Sequence, residues 1–108
     1  MFSKTILSLI ASAMLFTGSV AAAEPVRIIF ETDMGNDVDD VLALDMLYKY
    51  QDAGKIRLLL ISNNKGNAYS APFIHLMNDF YGWSGIPVAS SPAELLPQQK
   101  EKQPSYVE

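Results

Sequence analysis

Val26-Arg27-Ile28-Ile29-Phe30-Glu31-Thr32-Asp33-Met34-Gly35-Asn36-Asp37-Val38-Asp39-Asp40 is the stretch on which the reading of this sequence turns. Val26 to Phe30 is a short apolar run rich in β-branched residues, bounded by Pro25 and a loop signal, which predicts a strand. Asp40 to Ala53 then carries Val41, Leu44 and Tyr48 at helical spacing, with Leu47 beside them and Gly54 just past the end, which predicts a helix. Between the two lies a loop with five carboxylates, those of Glu31, Asp33, Asp37, Asp39 and Asp40.

Toward the C-terminus the same alternation repeats. Lys55 to Ile61 holds a nearly continuous apolar run of the kind found in parallel strands covered on both faces. Ser62 to Asn67 is a polar loop. Ala68 to Trp83 returns to helical spacing through Phe73, Leu76, Met77 and Phe80, with Pro72 tolerable only near the first turn. Ile86-Pro87-Val88-Ala89 reads as a short third strand whose proline argues for an early or edge position.

Strand, helix, strand, helix, strand implies right-handed crossovers and an α/β fold: the start of a doubly wound, Rossmann-like parallel sheet of β-α-β-α-β type, and an incomplete domain of that kind. In such sheets the loops that follow the strands open onto the carboxyl edge, where ligands bind, so the loops at 31–39 and 62–67 face one side. Residues 24–90 make up this unit. Residues 91–108, with Pro92, Pro97 and Pro104 and no clear periodicity, read as a loop or an unanchored tail of a truncated chain.

Upstream, Lys4 precedes an apolar run from Thr5 to Val20 and an A-x-A site at Ala21 and Ala23, the pattern of a signal peptide over residues 1–23. A periplasmic or secreted destination follows, with no membrane attachment once the signal is removed. The 108 residues contain no cysteine, so the fold depends on no disulfide. A net charge of −4 and a pI near 4.8 leave no basic stripe to neutralise phosphates, which excludes nucleic acid as a partner.

Five of the twelve acidic residues lie between Glu31 and Asp40, where like charges repel and raise one another's pKa unless something positive sits among them. Asp39 and Asp40 also stand where first-turn acids favour a helix dipole, each by about 0.3–1 kcal/mol, which accounts for two acids and not for five. A hard, oxygen-seeking cation accounts for the rest. Ca²⁺ is favoured over Mg²⁺ because carboxylates wrap it flexibly, and over Zn²⁺ because cysteine and histidine are missing nearby. Asp33, which ends a buried strand at the ligand edge, is the foremost functional candidate. The EF-hand spacing fits poorly, since a strand rather than a helix precedes the loop. His75, the one histidine, falls within the second helix and reads as an ordinary helix residue.

Asp33-Met34-Gly35-Asn36-Asp37-Val38-Asp39-Asp40-Val41-Leu42-Ala43-Leu44 after the first strand, followed by Gly66-Asn67 after the second, resembles the N-terminal portion of the inosine-uridine preferring nucleoside hydrolases. The resemblance spans about Ile28 to Val88. It implies a hydrolase of N-glycosidic bonds in ribonucleosides, with Asp33 both a Ca²⁺ ligand and the general base that activates water, and Asp40 a bidentate Ca²⁺ ligand. Asp39 and Asn67 would hydrogen-bond the ribose hydroxyls, with Asn64 a further substrate-binding candidate in the same loop. Met34 stands where the family carries proline, two extra residues separate Asp33 from Asp39-Asp40, and Glu31 replaces the signature's first aspartate. The family's later ligands and the histidine that helps the base depart find no counterpart here. The resemblance therefore implies an N-terminal fragment with weak Ca²⁺ binding and little turnover alone, and a full-length form able to make homo-oligomers. Two other readings compete. One is a non-catalytic secreted module that binds Ca²⁺ or a pentose; the other is a phosphatase of the haloacid dehalogenase type, weakened by Glu31 at the nucleophile position.

Overall fold

The computed structural model describes residues 21–92 and 105–108. Three strands, β1 (Val26–Thr32), β2 (Ile56–Asn63) and β3 (Val88–Ser90), alternate with two helices, α1 (Asp39–Asp52) and α2 (Ser70–Phe80). The strands are parallel and lie in the order β1-β2-β3 in one sheet, so the chain is the mixed α/β, β-α-β-α-β unit that its apolar patterning predicts. The signal peptide expected over residues 1–23 lies outside the described residues except for Ala21, Ala22 and Ala23, which are irregular and exposed. Residues 93–104 of the expected tail also lie outside them. Among the described residues no helix is long and apolar enough to cross a membrane.

Two right-handed crossovers that step the same way across a sheet leave both helices on one face. The helices meet there through their aromatic residues. The Tyr48 ring of α1 stacks on Tyr81, just past α2, with centroids 4.4 Å apart. The Tyr48 hydroxyl donates to Asn78 Oδ1 at 2.6 Å, and Asn78 Nδ2 donates to the Ile86 carbonyl at 3.2 Å, which ties the helix layer to the chain entering β3. Leu44, Tyr48, Leu58, Ile61, Ile74, Met77 and Ile86 form the core of this layer, joined by Met34 from the acidic loop and Val107 from the far end of the chain.

The second strand is covered on one face rather than two. Leu58 and Ile61 are buried while Leu59, and Ile29 of β1, remain exposed, because both crossovers run in one direction and no described helix reaches the second face. Leu58 and Ile61 are three residues apart, which strict alternation would put on opposite faces. A bulge resolves this: Ile28 pairs with Leu58 and Ile29 with Leu60, so Leu59 is the extra residue and Ile61 returns to the helix side.

Element ends differ from the sequence expectation for local reasons. The first helix begins at Asp39, whose Oδ1 accepts the Asp40 N–H at 3.0 Å. It closes with the Gly54 N–H on the Gln51 carbonyl at 2.9 Å and the Lys55 N–H on the Tyr50 carbonyl at 3.0 Å, a Schellman arrangement with Gly54 at φ +68°. The second helix starts at Ser70 rather than Ala68 because Asn67 Oδ1 takes the Tyr69 N–H at 2.8 Å and holds a turn there. The third strand is Val88–Ser90 rather than Ile86–Ala89, since Ile86 turns into the core and Pro87 offers only its carbonyl, on the Ile61 N–H at 3.0 Å.

Candidate functional site

The loops after β1 and β2 meet at the carboxyl edge of the sheet. The Asn64 N–H donates to the Thr32 carbonyl at 2.9 Å, Asn64 Nδ2 to Glu31 Oε1 at 3.0 Å, and Lys65 Nζ to Asn36 Oδ1 at 2.5 Å. These bonds make one surface from two segments that are distant in sequence.

The acidic loop turns around a buried centre. Met34, where the nucleoside hydrolase signature has proline, is completely buried, and its carbonyl accepts from Ser70 Oγ at 2.6 Å. The next residue, Gly35, has φ +137°, and a Cβ placed on it would stand 3.0 Å from Ser105 Oγ, so only glycine fits the turn without strain. The Gly35 N–H donates to the Tyr106 phenol oxygen at 3.0 Å, and its carbonyl accepts from Ser105 Oγ at 2.7 Å. The last four residues, which sequence patterning leaves unanchored, are therefore fastened onto the acidic loop: Ser105 and Val107 are buried and the Tyr106 ring meets Phe73 edge-on. Nothing in the periodicity of 91–108 signals this, because the anchorage is made by side chains reaching across to backbone atoms of a loop.

With its centre sunk, the loop brings its two ends together. Burial raises the Asp40 carboxyl above the usual carboxylate range; a hydrogen bond and charge from Asp33, and the charge of Asp39, act the same way. Thr32 lies beneath this pair, only 3% exposed. Its hydroxyl is close enough to Asp40 to favour that carboxyl's ionised form, yet among the described residues Oγ1 is a buried side-chain oxygen without a fully formed hydrogen bond. Asp33 and Asp37 are exposed.

The remaining candidates are held separately. Asn64 is exposed and paired with Glu31, at the rim of the surface. Asn67 commits Oδ1 to the Tyr69 N–H, while Nδ2 faces Glu108 Oε1 at 3.5 Å. His75 is exposed on α2. Two further residues belong to the surface that sequence reasoning does not single out. Lys65 is 6% exposed and brings an ammonium to the acidic loop through Asn36, supplying part of the positive charge that the loop calls for. A lysine in a polar turn at the ligand edge is the only sequence signal of it. Tyr106 feels the charges of Asp40, Asp39 and Asp33, which together with the larger effect of burial push its phenol upward in pKa.

Among the described residues no three histidine, cysteine, aspartate or glutamate side chains converge as a metal cluster. The donor set at the Asp33–Asp40 pair is two carboxylates with the Thr32 hydroxyl beside Asp40, all oxygen, which suits a hard cation and not zinc. A cleft of about 630 Å³ lined by Pro25, Arg57, Trp83, Ile86 and Pro87 opens at the opposite, amino edge of the strands, away from the loops where α/β sheets bind ligands. Comparison of the chain with protein-family models, with curated proteins and with solved structures returned no match.

Proposed function

We propose that this chain carries the N-terminal share of a Ca²⁺-dependent nucleoside hydrolase site, which cleaves the N-glycosidic bond of a ribonucleoside to ribose and free base in an exported setting. The observation that carries the reading is the meeting of Asp33 and Asp40 at the carboxyl edge of β1, above the buried Thr32 hydroxyl. Ca²⁺, when bound, lowers the pKa of water and neutralises the paired carboxylates.

Every other contribution comes from the chain. Asp33, exposed at the edge, takes the proton from the attacking water, and Asp40 holds its carboxylate toward the cation from the first turn of α1. Asp39 accepts from a ribose hydroxyl. Asn67, with Oδ1 committed to the Tyr69 N–H, contributes its Nδ2 as a donor, exchanging Glu108 for a sugar oxygen. Asn64 lies at the rim beside Glu31. The oxocarbenium character that develops at the anomeric carbon is stabilised by nearby carboxylates, and a neutral sugar needs no basic patch.

Calorimetry of the full chain with CaCl₂, then with inosine or 2′-deoxyinosine in the presence of CaCl₂, tests this. The expected results are cation binding lost in Asp33→Ala and Asp40→Ala, and inosine binding that weakens on removal of the 2′-hydroxyl or on Asp39→Ala. No Ca²⁺ affinity tighter than millimolar, or equal binding of inosine and its deoxy analogue, overturns the reading. Ca²⁺ and inosine binding in an assembled enzyme that still releases no base would leave a binding module in its place.

A further inference from the structure

We propose that the cleft at the amino edge of the sheet is a docking site for a short extended peptide segment bearing a carboxylate, which adds as a strand along the first half of β2. The cleft lies at the edge opposite the acidic loop, so this goes beyond the hydrolase reading and does not depend on it.

The sequence itself leaves this strand edge open. β3 pairs with β2 only over Ile61 to Asn63. Where that pairing begins, the Ile61 N–H donates to the Pro87 carbonyl at 3.0 Å, but proline has no N–H with which to carry the ladder further toward the amino end. Ile86 gives its N–H to the Trp83 carbonyl at 3.0 Å and takes Asn78 Nδ2 on its own carbonyl at 3.2 Å, so both groups are committed away from β2. On the other side of β2, the Val26 N–H donates to the Lys55 carbonyl at 3.1 Å, which turns the backbone groups of Lys55 and Arg57 toward β1 and those of Leu58 outward. The outward Leu58 N–H donates to a side chain, Gln51 Oε1, at 2.6 Å. An amide oxygen from the end of α1 thus stands where a neighbouring strand would place its carbonyl.

The space beside this edge has room and walls for such a segment. Its volume is about 630 Å³, within the range of about 300–1,000 Å³ common to ligand sites. Pro25, Pro87 and Trp83 line it, and the Trp83 ring is held in place by its Nε1 donating to Asp52 Oδ1 at 2.8 Å. Main-chain bonds along an open edge, with stiff apolar walls for alternate side chains, are the elements of recognition by strand addition. Charge selects the occupant. Arg57 lines the cleft, and Arg27 is its register partner on β1, so the two exposed side chains leave the same face of the sheet. Neither forms a salt bridge with another described residue. Two like charges side by side repel unless an anion joins them, and a carboxylate on the incoming segment supplies it.

Trp83 is the single tryptophan of the chain, so its fluorescence in the full-length protein reads occupancy of the cleft. The probe is a blocked six-residue peptide of alternating valine and threonine ending in aspartate, compared with a counterpart ending in lysine and with a form N-methylated at alternate residues. The aspartate peptide is expected to change the Trp83 emission saturably. N-methylation removes strand donors and is expected to weaken binding by about tenfold or more. Lysine in place of aspartate is expected to weaken it by about threefold or more, and Arg57→Gln, an exposed substitution, to narrow that gap. No saturable change up to millimolar peptide overturns the proposal. Equal binding of the N-methylated form overturns it as well, since the cleft would then take apolar groups without pairing to β2. Equal binding of the aspartate and lysine peptides by the parent chain removes the carboxylate from the recognised class.

Discussion

Replacing Gly35 by alanine tests whether the acidic loop and the last four residues are one structural unit. Two separate costs are expected. The backbone at φ +137° is a conformation that an L side chain adopts only under strain, about 1–3 kcal/mol. The new methyl would also stand 3.0 Å from Ser105 Oγ and 3.5 Å from Ser70 Oγ and Val107 Cγ2, so Ser105 must give way and its 2.7 Å bond to the Gly35 carbonyl is put at risk. For a chain of this size each kcal/mol corresponds to about 4–8 °C in Tm, so a fall of roughly 5–20 °C is expected by circular dichroism. The two costs separate in a double-mutant cycle with Ser105→Ala. Removing the hydroxyl relieves the close contact but not the dihedral strain, so Gly35→Ala should cost less in the Ser105→Ala background by about 0.5 kcal/mol or more, while still costing something. Strict additivity would refute the packing of Ser105 on Gly35. A loss below about 0.5 kcal/mol in both backgrounds would refute the strained turn as well.

The remaining predictions concern the helix layer. Tyr48→Phe leaves the buried Asn78 Oδ1 without its 2.6 Å donor and is expected to cost about 1–3 kcal/mol, read by urea unfolding; a neutral substitution would show that water replaces the phenol. Asp45 accepts from Lys49 at 2.6 Å and from the Tyr81 hydroxyl, which hold its carboxyl below the ordinary 3.8, Lys49 first. A depressed acid contributes stability that is fully present above its unfolded value and lost as pH falls through the folded one. The Tm difference between the parent and Asp45→Asn should therefore hold steady at neutral pH and shrink below about 3.8; a difference unchanged through that range would refute the assignment.

The parts of the fold that are legible in the sequence are those decided by local pattern. Val41, Leu44 and Tyr48 fall on one helical face, Gly54 follows the Ala53 cap of that helix, and the apolar run at 56–61 can only be a strand of a parallel sheet once two helices flank it. The bulge at Leu59 is not legible, because a continuous apolar run reads the same in either register. The anchorage of Ser105 to Val107 is hidden for a different reason. Hydroxyl-to-backbone bonds over some 70 residues of sequence separation have no periodicity and no composition signature. In the candidate site, spacing identifies the carboxylates and topology places both loops on one edge, but neither shows which acids meet.

That last distinction changes how the acidic loop should be understood. Five carboxylates in ten residues suggest a single demand for positive charge, yet the structure meets that demand piecemeal. Asp39 lies at the start of α1, where the helix dipole favours it and its Oδ1 takes the Asp40 N–H. Glu31 is matched to Asn64, Asp37 stays in solvent, and Lys65 reaches the loop through Asn36. What is left is the Asp33–Asp40 pair, where burial and mutual repulsion act against Asp40 ionising and only the Thr32 hydroxyl acts in favour. The case for a cation therefore rests on one pair whose charge the fold leaves incompletely compensated, and not on the number of acids in the loop. It is also why the decisive substitutions are Asp33 and Asp40, whereas neutralising Glu31 or Asp37 would remove as much formal charge from positions served by an amide or exposed to solvent.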